Sequence, residues 1–292
     1  MNKTKLYSPV KHSVVSLISM LHNDKESLTY ISDSLKTRGY AFVRLPVEFT
    51  NQVDDVMTIM ETFFLNNPSY KKKFSKKPIF GYFGVNHKES YRLLTGSRLT
   101  EHTFPENFDK VKNLVHTMDR VMYGLTLLLS PYIFPTLKKD ANTYKISLFD
   151  SNKPWGMFDV AKYYNDGKRV GLNCEEHYDP GLLSMSFRSS EEGLQLKDEF
   201  GKWIKVPVDK TLGVIWAGNA ATKINPFIKP GVHRVDCSSV IGKPRISMWY
   251  EICTSDQEHT ELIKDTKKIA IDFETITGMS TSKSAPSMKI FK

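Results

Sequence analysis

Apolar positions divide this chain into two textures. In the first half they recur with helical spacing. Val53, Val56, Met57, Met60, Phe63 and Phe64 fall at i, i+3, i+4, i+7, i+10 and i+11, one face of a helix that opens near Thr50 or Asn51. A longer stripe, Val111, Leu114, Val115, Met118, Val121, Met122, Leu125 and Leu129, holds its register too long for a strand and predicts a long helix lying on a large apolar surface. An earlier helix over Lys25–Thr37 is stopped by Gly39, and Tyr40–Leu45 (YAFVRL) then predicts a strand. The stretch Ser13–Leu21 is short, rich in serine and lacks a small-x-small cleavage site, so it reads as the edge of the fold rather than a signal peptide. From Tyr144 onward the texture changes to short runs such as MFDVAKYY, LLSMSF, LGVIW and RISMWYEI, rich in Val, Ile, Tyr, Phe and Trp and separated by Gly, Asp, Asn and Pro. Many short strands with turn signals predict a sandwich, barrel or jelly roll. Asp256–Ala270 suggests a closing helix, and Ser280–Lys292 a loose tail.

Composition narrows this only a little. With 292 residues the chain can bury a substantial core, and 40% apolar and 25% charged residues are ordinary for a globular protein. No apolar run is long enough to span a bilayer, so no membrane association is expected. Cys174, Cys237 and Cys253 form no paired spacing, and their odd number argues against a disulfide framework; a cytoplasmic location fits best. The formal charge is +9, with its densest run at Tyr70–Lys77 (YKKKFSKK), which reads as a solvated loop after a helix. No zinc-finger or helix-turn-helix signature accompanies it, so nucleic acid is not an expected partner.

Candidate chemistry lies in Glu176–Gly181 (EHYDPG), read together with Val232–Val235 (VHRV) and Pro244–Ser247 (PRIS). In a strand, residues two apart face the same side, so His177 and Asp179 can converge on one point. His233, from a distant strand, can complete a set of two imidazoles and one carboxylate with open positions opposite, the facial arrangement that suits Fe(II). The same ligands also bind zinc, as in hydrolases. Arg245 and Ser247, on one strand face downstream of His233, form a carboxylate receptor from a bidentate fork and a further donor, which a zinc hydrolase leaves unexplained.

In this order HYD (177–179), GLQL (193–196), GKW (201–203), GN (218–219), HRV (233–235) and RIS (245–247) resemble the catalytic core of the isopenicillin N synthase-like family of Fe(II)/2-oxoglutarate-dependent oxygenases. Upstream, RGYAFVRLP (38–46), METFFLNNPSYKKKF (60–74) and FGYFG (80–84) resemble that family's N-terminal extension. The resemblance implies a mainly β fold with flanking helices. A double-stranded β-helix core over 144–255 would be buttressed by a helical region over 1–143, with a C-terminal helix and tail over 256–292, all one catalytic unit. It implies that His177, Asp179 and His233 bind Fe(II), that Arg245 and Ser247 hold the distal carboxylate of 2-oxoglutarate, and that Tyr164 helps. The implied reaction couples decarboxylation of 2-oxoglutarate by O2, giving succinate and CO2, to oxidation of a small-molecule substrate, with ascorbate a candidate reductant and a monomer expected. The alternative is a relative of the same fold that uses no 2-oxoglutarate and employs Arg245 and Ser247 for a substrate carboxylate.

The chain departs from the family pattern where Asn-Tyr-Tyr-Pro becomes Lys162-Tyr163-Tyr164-Asn165. The gap between His233 and Arg245 is slightly long, to be absorbed by a loop at 238–243. Cys174 is expected to be a buried or loop thiol, and Trp203 and Trp216 hairpin and core residues. The family's substrate pocket draws on the N-terminal helices, the loop around Gly81–Arg98 and the C-terminal tail. Alternation along the last strand puts Arg245, Ser247, Trp249 and Glu251 on one face, so Glu251 either meets the substrate or, if the strand frays, lies in solvent.

Overall fold

The computed structural model describes residues 13–76, 80–85, 87–133, 155–168, 171–237 and 241–254. The anticipated closing helix and tail lie outside these residues, as does part of the loop between His233 and Arg245.

The strands are β1 (Val14–Ser16), β2 (Tyr40–Arg44), β3 (Ser75–Lys76), β4 (Phe80–Val85), β5 (Lys88–Leu94), β6 (Gly156–Tyr163), β7 (Leu172–His177), β8 (Leu183–Ser189), β9 (Leu194–Lys197), β10 (Trp203–Lys205), β11 (Leu212–Ala217), β12 (His233–Asp236) and β13 (Arg245–Ile252). They form a nine-stranded sheet in the order β1-β2-β11-β8-β13-β6-β5-β4-β3 and a four-stranded sheet in the order β10-β9-β12-β7. Leu194 and Leu196 of the small sheet pack against Tyr40, Phe42, Val214 and Trp216 of the large one, so the two sheets face each other as in a jelly roll. The mainly β class with flanking helices is as the sequence indicates. The first half, however, is not only helical. Its strands β1 to β5 extend the large sheet on both sides, and the stretch expected as a loop around Gly81–Arg98 is mostly the β4–β5 hairpin, in register from Gly81↔Arg92 to Val85↔Lys88.

The helices lie on the outer face of the large sheet. Helix α1 (Leu17–Leu21) is short, and α2 (Lys25–Thr37) matches its predicted bounds, with the Asp24 carboxylate accepting from the Ser27 N–H at its start. It ends at Gly39, whose φ of +84° and contact with the Pro230 backbone leave no room for a side chain. Helix α3 (Val47–Leu65) opens a turn earlier than its apolar stripe suggests, because Pro46 serves as the N-cap. The long stripe becomes α5 (Asp109–Ile133). Phe63 of α3 sits in an aromatic cluster with Tyr91 and Phe108, at centroid distances of 5.2 and 5.3 Å. Alternation then decides what the sheet offers each side. Phe158, Val160, Ile246, Met248, Tyr250 and Ile252 join the core under the helices, leaving their neighbours to face the interior between the sheets.

The lysine run corrects one expectation. Part of it forms α4 (Pro68–Lys72) and β3 rather than a solvated loop, and Lys71 is buried, its Nζ 2.5 Å from Glu89 and 2.9 Å from the Phe64 carbonyl. Lys162 pairs with the same carboxylate at 3.3 Å. Lys71 therefore ties α4 to the sheet through Glu89 of β5. Among the described residues no helix is long and apolar enough to cross a membrane.

Candidate active site

His177 ends β7 and His233 begins β12, and the two are direct partners across that antiparallel pair. Cross-strand pairing thus brings the rings together, with centroids 4.2 Å apart. Asp179 lies beyond the strand, in the turn before Pro180, so its convergence is not the strand alternation that its spacing suggests. The turn is fixed by the Asn219 N–H, which donates to the Asp179 carbonyl at 2.8 Å at the start of α6 (Asn219–Ile224). The imidazole Nε2 atoms of His177 and His233 stand 3.9 and 3.8 Å from the same carboxylate oxygen, Asp179 Oδ1. One potential ligand atom from each of the three lies within 4.8 Å of the others, the sole such grouping of His, Cys, Asp and Glu among the described residues.

The outer contacts aim these atoms inward. His177 Nδ1 is 2.7 Å from the Glu175 carbonyl and His233 Nδ1 is 2.9 Å from the Gly231 carbonyl, which places the proton on Nδ1 in each neutral ring and leaves Nε2 as a donor to a metal. Asp179 Oδ2 accepts from Ser184 Oγ at 2.6 Å and from Trp216 Nε1 at 2.7 Å, which leaves Oδ1 facing the imidazoles. The donor set therefore fits a divalent cation with nitrogen and oxygen preference. Trp216, expected as a core residue, also orients a potential ligand. Only an unpartnered indole N–H next to a buried carboxylate would have signalled this, and neither is visible in sequence. Cys174 Sγ is 3.8 Å from His177 Nδ1 and is not part of the group. None of the three cysteines forms a disulfide among the described residues.

Electrostatics keep the carboxylate ionised. Burial works against the Asp179 carboxylate, but His233, His177 and the hydrogen bonds from Ser184 and Trp216 outweigh it and hold its pKa below the usual range. Burial, with His177 beside it, pushes His233 down to about 4, so that ring is neutral at physiological pH. Burial also lowers His177, but Cys174 and Asp179 prevail and raise it to about 9.

A cavity of about 120 Å³ opens beside this group, between the sheets. Arg245 and Ser247 line it, as alternation along β13 requires. Arg245 is 1% exposed, its NH1 donating to Ser247 Oγ at 3.1 Å and its Nε to the Glu191 carbonyl at 3.3 Å. Among the described residues no carboxylate pairs with it. A buried guanidinium without a counter-ion, opening on a cavity beside a metal-ligand group, suits a carboxylate ligand. Tyr163, opposite Arg245 on β6, lines the cavity with its ring centroid 5.6 Å from the guanidinium carbon, whereas Tyr164 is not among the lining residues. Strand β13 does not fray. It runs to Ile252, and Glu251 is 1% exposed, lines the cavity and accepts from the Gly181 N–H.

With this geometry in place, the family comparison is specific. Residues 156–254 match the profile of the 2OG-Fe(II) oxygenase superfamily. No curated protein matches the chain significantly in sequence. Solved structures match its fold. A full-length Neurospora crassa protein, solved with alpha-KG and 5-formyluracil, is 19% identical at a TM-score of 0.69, covering 87% of this chain and 88% of its own. A putative oxygenase from Shewanella oneidensis is 17% identical at 0.70, covering 90% and 100%. The Arabidopsis thaliana dioxygenase for auxin oxidation 1, in its 2-oxoglutarate complex, is 15% identical at 0.67, covering 86% and 98%. Residues 156–254 thus belong to the 2OG-Fe(II) oxygenase superfamily, with which the resemblance to isopenicillin N synthase-like proteins agrees. A domain of this superfamily is a 2-oxoglutarate-dependent non-haem iron dioxygenase, working with Fe(II), 2-oxoglutarate and O2.

Proposed function

We propose that His177, Asp179 and His233 hold the Fe(II), that Arg245 and Ser247 anchor the distal carboxylate of 2-oxoglutarate, and that a small molecule is the substrate oxidised. The observation that carries this reading is the convergence of both Nε2 atoms on Asp179 Oδ1 at the wall of the cavity where Arg245 lies without a counter-ion among the described residues. Iron with 2-oxoglutarate and O2 supplies the oxidising power, at the expense of 2-oxoglutarate, which leaves as succinate and CO2. The chain's own residues bind, orient and shelter. The backbone carbonyls of Glu175 and Gly231 fix the imidazole tautomers, and Ser184 with Trp216 fixes the carboxylate. Arg245 and Ser247 define one end of the cavity for the co-substrate, so that its other end is presented toward the metal ligands. The Neurospora protein's complexes with thymine and 5-formyluracil support a small-molecule substrate by analogy. Mass-spectrometric detection of succinate formed from 2-oxoglutarate in the presence of Fe(II) and O2 tests the reading. Its absence under all substrate conditions, in protein that carries iron, contradicts it.

Two further results are expected. Removing the indole N–H in Trp216→Phe keeps an aromatic side chain but leaves Asp179 Oδ2 with one donor, and should weaken Mn(II) or Fe(II) binding by about 10–100-fold. An unchanged metal affinity would show that Ser184 suffices. Metal binding should also release about one proton near neutral pH, because His177 titrates at about 9 and is charged below it. Metal affinity should therefore climb with pH up to about 9 and level off above it. Calorimetry in buffers of different ionisation enthalpy reads the proton directly, and a pH-independent affinity would contradict the assignment.

A further inference from the structure

The cavity wall carries polar groups that iron and 2-oxoglutarate leave unused. Asp159 sits mid-way along β6, opposite Arg92 of β5 on one side and Trp249 of β13 on the other. It is 1% exposed and lines the cavity. Its Oδ2 accepts from Arg92 Nε at 2.5 Å, while its Oδ1 is buried and has no hydrogen-bond partner among the described residues. A buried acceptor left unpaired is costly, so the wall presents an acceptor in want of a donor. Glu251 is its diagonal neighbour, since β13 pairs Trp249 with Asp159 and Glu251 with Met157. The face of β13 thus carries Arg245 and Ser247 toward one end and, beside Asp159, Trp249 and Glu251 toward the other.

Charge decides which donor belongs there. The Asp159 carboxylate is already matched by Arg92, and Lys88 lines the same cavity. A cationic substrate would meet Arg92, Lys88 and the metal, and an anionic one would meet the Asp159 carboxylate. A neutral donor meets neither penalty. Arg92 makes its hydrogen bond to Asp159 through Nε, which leaves its two terminal nitrogens for other acceptors, and the residue lines the cavity. An acceptor oxygen beside guanidinium N–H donors is the complement of an N–H beside a carbonyl, the edge of an amide or imide. Met157, Tyr178 and Trp249 supply apolar and aromatic wall for the rest of such a molecule.

We propose that Asp159 is a substrate-recognition residue whose Oδ1 accepts from the N–H of an uncharged, amide- or imide-bearing small substrate, with Arg92 facing its carbonyl and Glu251 as a further polar contact. The inference rests on the iron and 2-oxoglutarate reading of the site. Its test uses the whole wild-type protein, loaded without oxygen with Mn(II) and 2-oxoglutarate, and titrated with glutarimide, N-methylglutarimide, cyclohexylammonium and cyclohexanecarboxylate. Glutarimide should bind about tenfold or more tightly than its N-methyl form and than either charged probe, the loss expected when a buried acceptor goes unpaired. In Asp159→Asn, Arg92 holds the amide carbonyl and turns the NH2 toward the cavity, replacing the acceptor with a donor. The preference for the N–H form should then vanish, to within about twofold. If that variant fails to fold, the wild-type comparison decides alone. Failure to take up 2-oxoglutarate with Mn(II) overturns the reading of the site and this inference with it. Normal uptake combined with no preference for glutarimide, no binding of it, or a preference that survives in folded Asp159→Asn overturns this inference only.

Discussion

Replacing Asp179 by alanine should abolish turnover and iron binding together. The carboxylate is the one anionic member of the proposed ligand set, and both imidazole Nε2 atoms converge on its Oδ1. Alanine also strands two buried donors, Ser184 Oγ and Trp216 Nε1, at a cost of about 1–3 kcal/mol each. The loss of activity must therefore be separated from a loss of fold. Asp179→Asn makes the separation. Its carbonyl can take over the bonds from Ser184 and Trp216, which turns the NH2 toward the imidazoles, where it offers no lone pair to a metal. Folded Asp179→Asn protein should retain its thermal transition, lose stoichiometric Fe(II) and show no detectable succinate formation. Full turnover by either variant would show that the metal sits elsewhere.

Arg245→Ala should raise the concentration of 2-oxoglutarate needed for half-maximal rate by orders of magnitude, with little change in metal affinity. Losing a buried charged contact to a carboxylate typically costs about 2–5 kcal/mol. Arg245 is suited to such an effect because it is 1% exposed and has only a hydroxyl and a backbone carbonyl as polar partners among the described residues. Burial lowers its pKa from the usual arginine value, as expected of a cation held without a counter-ion. Arg245→Lys should recover only part of the loss, since an ammonium keeps the charge but not the fork. A 2-oxoglutarate dependence unchanged in Arg245→Ala would assign this arginine to another ligand.

Much of this site is legible before any coordinates, because its chemistry rides on alternation. Arg245, Ser247, Trp249 and Glu251 share the cavity face since a strand offers no other choice, and the hydrophobic residues between them are claimed by the helices. His233 finds His177 because β7 and β12 pair, a relation that motif order suggests but spacing alone does not prove. What escaped the sequence is what depends on long-range contact. Asp179 converges through a turn pinned by Asn219, Ser184 and Trp216. Tyr163 rather than Tyr164 faces Arg245 because β6 is in register with β13 through Tyr163, where the strand also ends. Lys71 looked like one more solvated cation in a basic run, yet it is buried against Glu89, a partner 18 residues away. The Asp159–Arg92 pair was equally invisible, since neither residue belongs to a motif and only the β5–β6 register joins them.

The central claim is that one cavity holds both the iron and the co-substrate. Titrating 2-oxoglutarate calorimetrically into oxygen-free protein, with and without Fe(II), tests it most directly. The account predicts one equivalent of 2-oxoglutarate bound to the iron-loaded protein, and binding that is greatly weakened in metal-free protein and in Asp179→Asn. Equally tight binding with and without iron, or in Asp179→Asn, would contradict it.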